Sequence, residues 1–89
     1  MEVWYYPGSA LGQEAATSVL DEMVTTSPSH RNREIKEGDL VVLRETRMPA
    51  ILVECEFITN PKQLRFLDNL DNQLGLAEAI SEGVDALGW

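Results

Sequence analysis

Nine residues, "AILVECEFI" from Ala50 to Ile58, constrain the fold more than any other stretch of this 89-residue chain. Branched and apolar side chains fill the run, and its near-continuous hydrophobicity suits a strand covered on both faces of a parallel or mixed sheet. Glu54 and Glu56 interrupt it. An ionised carboxylate costs several kcal/mol to desolvate unless it is paired or chemically employed. Either the strand ends here and the carboxylates are solvated, or the two residues mark a site. Residues two apart on a strand point the same way at roughly 6.5–7 Å, so an acid–base pair of Glu54 and Glu56 is geometrically open.

The flanking segments supply the layers such a strand needs. "EVWYY" (Glu2 to Tyr6) reads as a strand stopped by Pro7-Gly8. Ser9 can cap a helix that lines up Leu11, Ala15, Ala16, Val19, Leu20, Met23 and Val24 at spacings of three and four. "TTSPSHRNRE" (Thr25 to Glu34) has no apolar residue and reads as a surface loop, and "DLVVLRET" (Asp39 to Thr46) as a short strand. Asn60-Pro61 opens a short helix through about Asp68. A last helix, about Leu70 to Leu87, aligns Leu74, Ala77, Ile80, Val84 and Leu87. The predicted order is β-α-β-β-α-α, an α/β partial twisted sheet with helices on both faces and two open edges. It reads as half of a layered protein, with residues 1–89 as one portion of a domain.

Composition narrows the function. The formal net charge is −8, from 15 acidic and 7 basic residues, which argues against nucleic acid and anionic membranes as partners. No apolar run approaches the ~20 residues of a membrane-spanning helix, and "MEVWYYPGS" lacks the basic and apolar regions of a signal peptide. The single Cys55 rules out an internal disulfide. A chain of this size buries only roughly 60–65% of its unfolded surface, a thin margin for independent folding.

Three segments together resemble the zinc-dependent N-acetylmuramoyl-L-alanine amidases, the cell-wall hydrolases of bacteria and their phages. They are Arg33-Glu34-Ile35-Lys36, then Val42-Leu43-Arg44-Glu45-Thr46-Arg47-Met48-Pro49, then Ala50-Ile51-Leu52-Val53-Glu54-Cys55-Glu56-Phe57-Ile58-Thr59-Asn60. Members carry Arg-Gly-(Val/Ile)-Lys, a Leu-Arg strand and turn closing on proline, and a Leu-Val-Glu strand ending in Asn. The opening "EVWYYPGS" and the tail "LAEAISEGVDALGW" also resemble the family. The likeness runs the length of the chain and corresponds to the C-terminal half of the catalytic domain.

The resemblance implies that Glu54 is the general base acting on a zinc-bound water, in hydrolysis of the amide between N-acetylmuramic acid and L-alanine in peptidoglycan. It also implies that the zinc ligands, two His and one Glu, lie upstream, so that this chain holds no metal and is inactive alone. The only histidine, His30, matches none of them and reads as an exposed loop imidazole. Glu34 and Glu56 stand where many members have Gly.

Arg33 is a candidate to grip a substrate carboxylate, with Arg44 and Arg47 weaker candidates; the alternative is an ordinary solvated or ion-paired surface. Trp4, Tyr5 and Tyr6 either stack on sugar or fill a core, and Cys55 reads as a small buried hydrophobe. Two functional readings follow. One is a hydrolase segment, acting outside the cell or in its envelope for an autolysin, or in the host cytoplasm before lysis for a phage endolysin. The other is a non-catalytic module that binds peptidoglycan or self-associates through its open sheet edges.

Overall fold

Four-residue strand β1 (Glu2–Tyr5) is the centre of a three-stranded sheet ordered β2-β1-β3. The computed structural model describes residues 1–26, 34–55 and 60–89. Strand β2 (Ile35–Glu37) runs parallel to β1, and β3 (Ile51–Glu54) runs antiparallel to it. A parallel neighbour requires a crossover, which helix α1 (Ala10–Thr26) provides between β1 and β2.

Strand alternation sorts the side chains into two faces. Met1, Val3 and Tyr5 turn one way and are buried with Ala16, Val19, Leu20 and Met23 of α1. Ile35, Ile51, Val53 and Cys55 join them from the neighbouring strands. Glu2, Trp4, Lys36, Leu52 and Glu54 therefore share the opposite face, in register with one another. At the start of α1, Ser9 Oγ accepts a bond from the Gly12 amide at 3.0 Å, so the expected serine start holds.

Helix α4 (Leu70–Asp85) packs antiparallel on α1, with Gly83 over Val19 and Gly75 near Thr26. Its buried stripe is Leu76, Ala79 and Gly83, not the predicted Leu74, Ala77 and Val84. Leu74 and Val84 are 58% and 49% exposed. Small residues face α1 because they let the two backbones approach; Ser18 Oγ donates to the Gly83 carbonyl at 2.6 Å. Both long helices thus lie on the Val3 side of the sheet, where a helix on each face was expected.

The predicted strand over Asp39–Thr46 is also corrected. Val41–Arg44 is a single helical turn, α2, closed by amide bonds from Leu43 and Arg44 to the Leu40 carbonyl. Only Leu43 of that turn is buried, while Val41 and Val42 are 61% and 63% exposed. Burial of one side chain in four satisfies a turn, not an alternating strand. The second strand is Ile35–Glu37 instead, so three strands remain and the order becomes β-α-β-α-β-α-α. Strand β3 is half-buried along its length and has β1 as its one partner among the described residues. Helix α3 (Pro61–Leu67) starts as predicted, with the Asn60 side chain accepting from the Lys62 and Gln63 amides. The part of the predicted surface loop over 27–33 lies outside the described residues, as does the expected strand continuation over 56–58.

Three glycine-related positions test this packing. A Cβ at Gly83 would meet Val19 Cα at 2.6 Å, whereas one at Gly75 would meet only Thr26 Cγ2 at 3.8 Å. Gly83→Ala is expected to destabilise the chain by about 1–3 kcal/mol, and Gly75→Ala to be neutral or stabilising by up to about 1 kcal/mol, in urea unfolding. Glu34, at φ 70°, occupies left-handed backbone where a side chain is strained. Glu34→Gly is expected to relieve that strain and raise the unfolding free energy by roughly 1 kcal/mol.

Candidate functional site

Glu54 is the last residue of β3, and its cross-strand partner is Glu2. Directly opposed residues place their Cβ atoms about 4.5–5.5 Å apart on one face. Glu54 is half-buried, while Glu2 is only 3% exposed. Glu2 Oε2 accepts a hydrogen bond from Trp4 Nε1 at 2.6 Å. The six-membered edge of the Trp4 ring lies over Gly38, where a Cβ would stand 2.7 Å from Cζ3. The Gly38 amide in turn donates to the Tyr5 carbonyl at 3.0 Å, extending the β1–β2 ladder. The arrangement presents one carboxylate held by an indole and a second, partly open to solvent, able to accept a proton.

The other candidates fall elsewhere. Arg33, His30 and Glu56 lie outside the described residues. Cys55 packs with the core on the α1 side, as a small hydrophobe should. Tyr5 is buried in that core, and Trp4 takes the Glu54 face. Arg44 and Arg47 line a groove of about 420 Å³ with Tyr6, Ser9, Met48 and Ala50. That groove sits at the Tyr5–Ile51 end of the pairing, three residues or roughly 10 Å of strand from Glu54. Arg44 bonds Asp39 at 3.0 Å and Glu45 at 3.1 Å. These hydrogen bonds, donated to Glu45 first and then to Asp39, raise its pKa above the usual guanidinium value, so it is engaged with its own neighbours. A second depression, of about 600 Å³, runs along α1 beside Ala86 and Leu87. Glu54 lines neither.

Comparison with known proteins decides the family. The N-acetylmuramoyl-L-alanine amidase model matches residues 1–86. The chain belongs to this family.

It is 39% identical over 59 residues to the amidase AmiA of Escherichia coli K12, covering 64% of this chain and 20% of that protein. It is 32% identical over 82 residues to the probable cell wall amidase LytH of Staphylococcus aureus, covering 91% of this chain and 26% of that one. The crystal structure of the amidase from Clostridium difficile 630 superposes with a TM-score of 0.88 at 38% identity, covering 96% of this chain and 46% of that one. The chain therefore spans less than half the length of each of these relatives. The expectation of a partial amidase sheet agrees with that coverage.

The family resemblance implies zinc, and the described residues can be tested for it. Among them, no three His, Cys, Asp or Glu side chains converge in a way that could hold a metal ion. Among the described residues Glu2 and Glu54 pair with no third such group, and Glu2 accepts a hydrogen bond from the Trp4 indole.

Glu54 closes β3 at its C-terminal end, and because β3 runs antiparallel to β1 it stands beside the N-terminal residue of β1. Sequence reading missed Glu2 and Trp4 as its neighbours. The available signal was the alternation Glu2-Val3-Trp4-Tyr5, which puts an acid and an indole together on the face opposite two core residues.

The position of the arginines yields a test. Arg44→Ala and Arg47→Ala, a strand length from Glu54, are expected to leave kcat of an active enzyme carrying this segment unchanged. Any effect should be confined to KM, read from initial rates against a soluble muropeptide.

Proposed function

We propose that this chain is the Glu54-bearing segment of a cell-wall amidase that hydrolyses the amide joining N-acetylmuramic acid to the first L-alanine of the stem peptide. The observation that supports this reading most directly is the placement of Glu54. It is half-buried at the end of a strand whose register holds it opposite a second carboxylate, in a chain that matches the amidase family over residues 1–86.

A carboxylate partly screened from water suits general-base work. Glu54 takes a proton from the attacking water as its oxygen bonds the lactyl carbonyl carbon. The tetrahedral intermediate collapses with cleavage of the C–N bond, and the proton passes to the departing alanine amine. The products are the lactyl carboxylate of the sugar and a free stem peptide. Zinc, which the family resemblance implies, would be held by ligands outside the described residues and would supply Lewis-acid activation of the water.

Peptidoglycan is then the macromolecular partner, and action belongs at the cell envelope, in keeping with the similarity to LytH of Staphylococcus aureus, a probable cell wall amidase. Among the described residues, no helix is long and apolar enough to cross a membrane. The outer edges of β2 and β3, without a strand partner among the described residues, suit addition of further strands, from the rest of an amidase sheet or from a second copy.

The test is Glu54→Gln in the complete enzyme. Hydrolysis of purified peptidoglycan is expected to fall roughly 10²–10⁴-fold, with bound zinc and melting temperature unchanged. Near-normal turnover in that variant overturns the assignment.

A further inference from the structure

We propose that the apolar face which α4 turns away from α1 is the seat of a helix from the remainder of an amidase domain. The proposal rests on this chain being a segment of such a domain, and not on the role of Glu54.

Counting about 100° per residue along α4 separates three sides. Leu76, Ala79 and Gly83 form the buried side against α1. Asp71, Glu78, Glu82 and Asp85, all exposed, gather within roughly 60° of one another on a second side. Leu70, Leu74, Ala77, Ser81 and Val84 fall within roughly 80° on a third, and each of them is exposed too. Leu70 has 67% of its surface open.

The third side is not the solvent side. It lies between the acidic row and Ile80, which packs against the core, and it stands roughly opposite the side that meets α1. It therefore looks along the layer of helices, toward the place of a next neighbour. A helix that is polar on one side alone belongs inside a larger core. From Leu70 to Val84 the apolar row runs about 21 Å at 1.5 Å per residue, and a continuous row of this kind marks an interaction surface. Its relief also fits a helix. Ala77 and Ser81 are small between larger ends at Leu74 and Val84, a shallow saddle in which a second helix can cross at 8–10 Å. Gly83 and Ala79 serve α1 in the same way on the other side.

Size and charge choose the occupant. The chain spans 46% of a solved amidase that it superposes on over 96% of its own length, so more than half of such a domain has still to find a place against it. A second copy of this chain fits less well, because it brings the same acidic row and the same net charge of −8 to the contact. The occupant is a helix with an apolar face, its border along Glu78 and Asp85 favouring Lys or Arg.

Thiol labelling reads the cover directly. In the 89-residue chain, the thiols of Ser81→Cys and Glu78→Cys are expected to react with N-ethylmaleimide at similar rates, followed by mass spectrometry of the labelled peptide. In the complete enzyme the Ser81→Cys thiol should react at least roughly 10-fold more slowly, and the Glu78→Cys thiol at its former rate. Ala77→Leu is the second variant. It should leave the melting temperature of the 89-residue chain within about 2 °C of wild type. In the complete enzyme it should lower that temperature by roughly 3–10 °C.

Equal labelling of the Ser81→Cys thiol in both proteins overturns the covered face, as does an unshifted melting temperature for Ala77→Leu in the complete enzyme. Either result leaves Glu54 standing as the base. If the 89-residue chain then sediments as a dimer that Leu74→Gln dissociates, the face belongs to a second copy instead. Turnover retained in Glu54→Gln overturns the base assignment and leaves the covered face in place.

Discussion

The antiparallel pairing of β1 with β3 governs everything around Glu54. Four rungs, from Tyr5–Ile51 to Glu2–Glu54, set which face each residue of β3 takes. A slip of one residue would send Glu54 into the α1-covered core and Val53 into the open. The register is held because Val3, at no measurable exposure, and Tyr5 must lie against Val19 and Leu20 of α1 with Ile51 and Val53 beside them. Burial on one face thus specifies the chemistry on the other.

The core that enforces this register depends on close approach between two helices. Gly83 rests on the Val19 backbone and Ser18 bonds the Gly83 carbonyl, so α4 sits where any larger residue would hold it off. The cost is a row of exposed apolar side chains, Leu70, Leu74 and Val84, that the helix turns outward. Leu76 fills the core, while the small residues Ala79 and Gly83 set how closely the helices approach, because backbone contact brings more atoms within van der Waals range.

Much of the architecture was legible beforehand. The strand at Glu2, the serine-started helix, the strong strand at Ile51 and the Asn60-Pro61 helix start all rest on local signals, caps and alternation that act within a few residues. The errors share a cause. Val41 and Val42 look like strand residues, yet they are exposed, and the turn they occupy is decided by where Leu43 must be buried. The stripe of α4 was read from its largest apolar residues, whereas Leu76, Ala79 and Gly83 face α1. Strand direction was likewise invisible: nothing in "ILVE" says that it runs against β1.

Glu54 itself stood out from the chain alone, because a carboxylate closing an apolar strand requires an explanation, and the family pattern supplied one. Its surroundings did not stand out. Glu2 lies 52 positions away in a sequence of 89, and only strand pairing makes the two neighbours. Trp4 and Gly38 are equally distant in character, an aromatic in a strand and a glycine after one, until packing stacks ring on backbone. Local sequence determined the long helices, the starts at Ser9 and Asn60 and the prominence of Glu54, because those depend on neighbours along the chain. Tertiary structure decided which face Glu54 occupies and what stands beside it, because register and burial are settled between segments, where the hydrophobic effect compares whole faces at once.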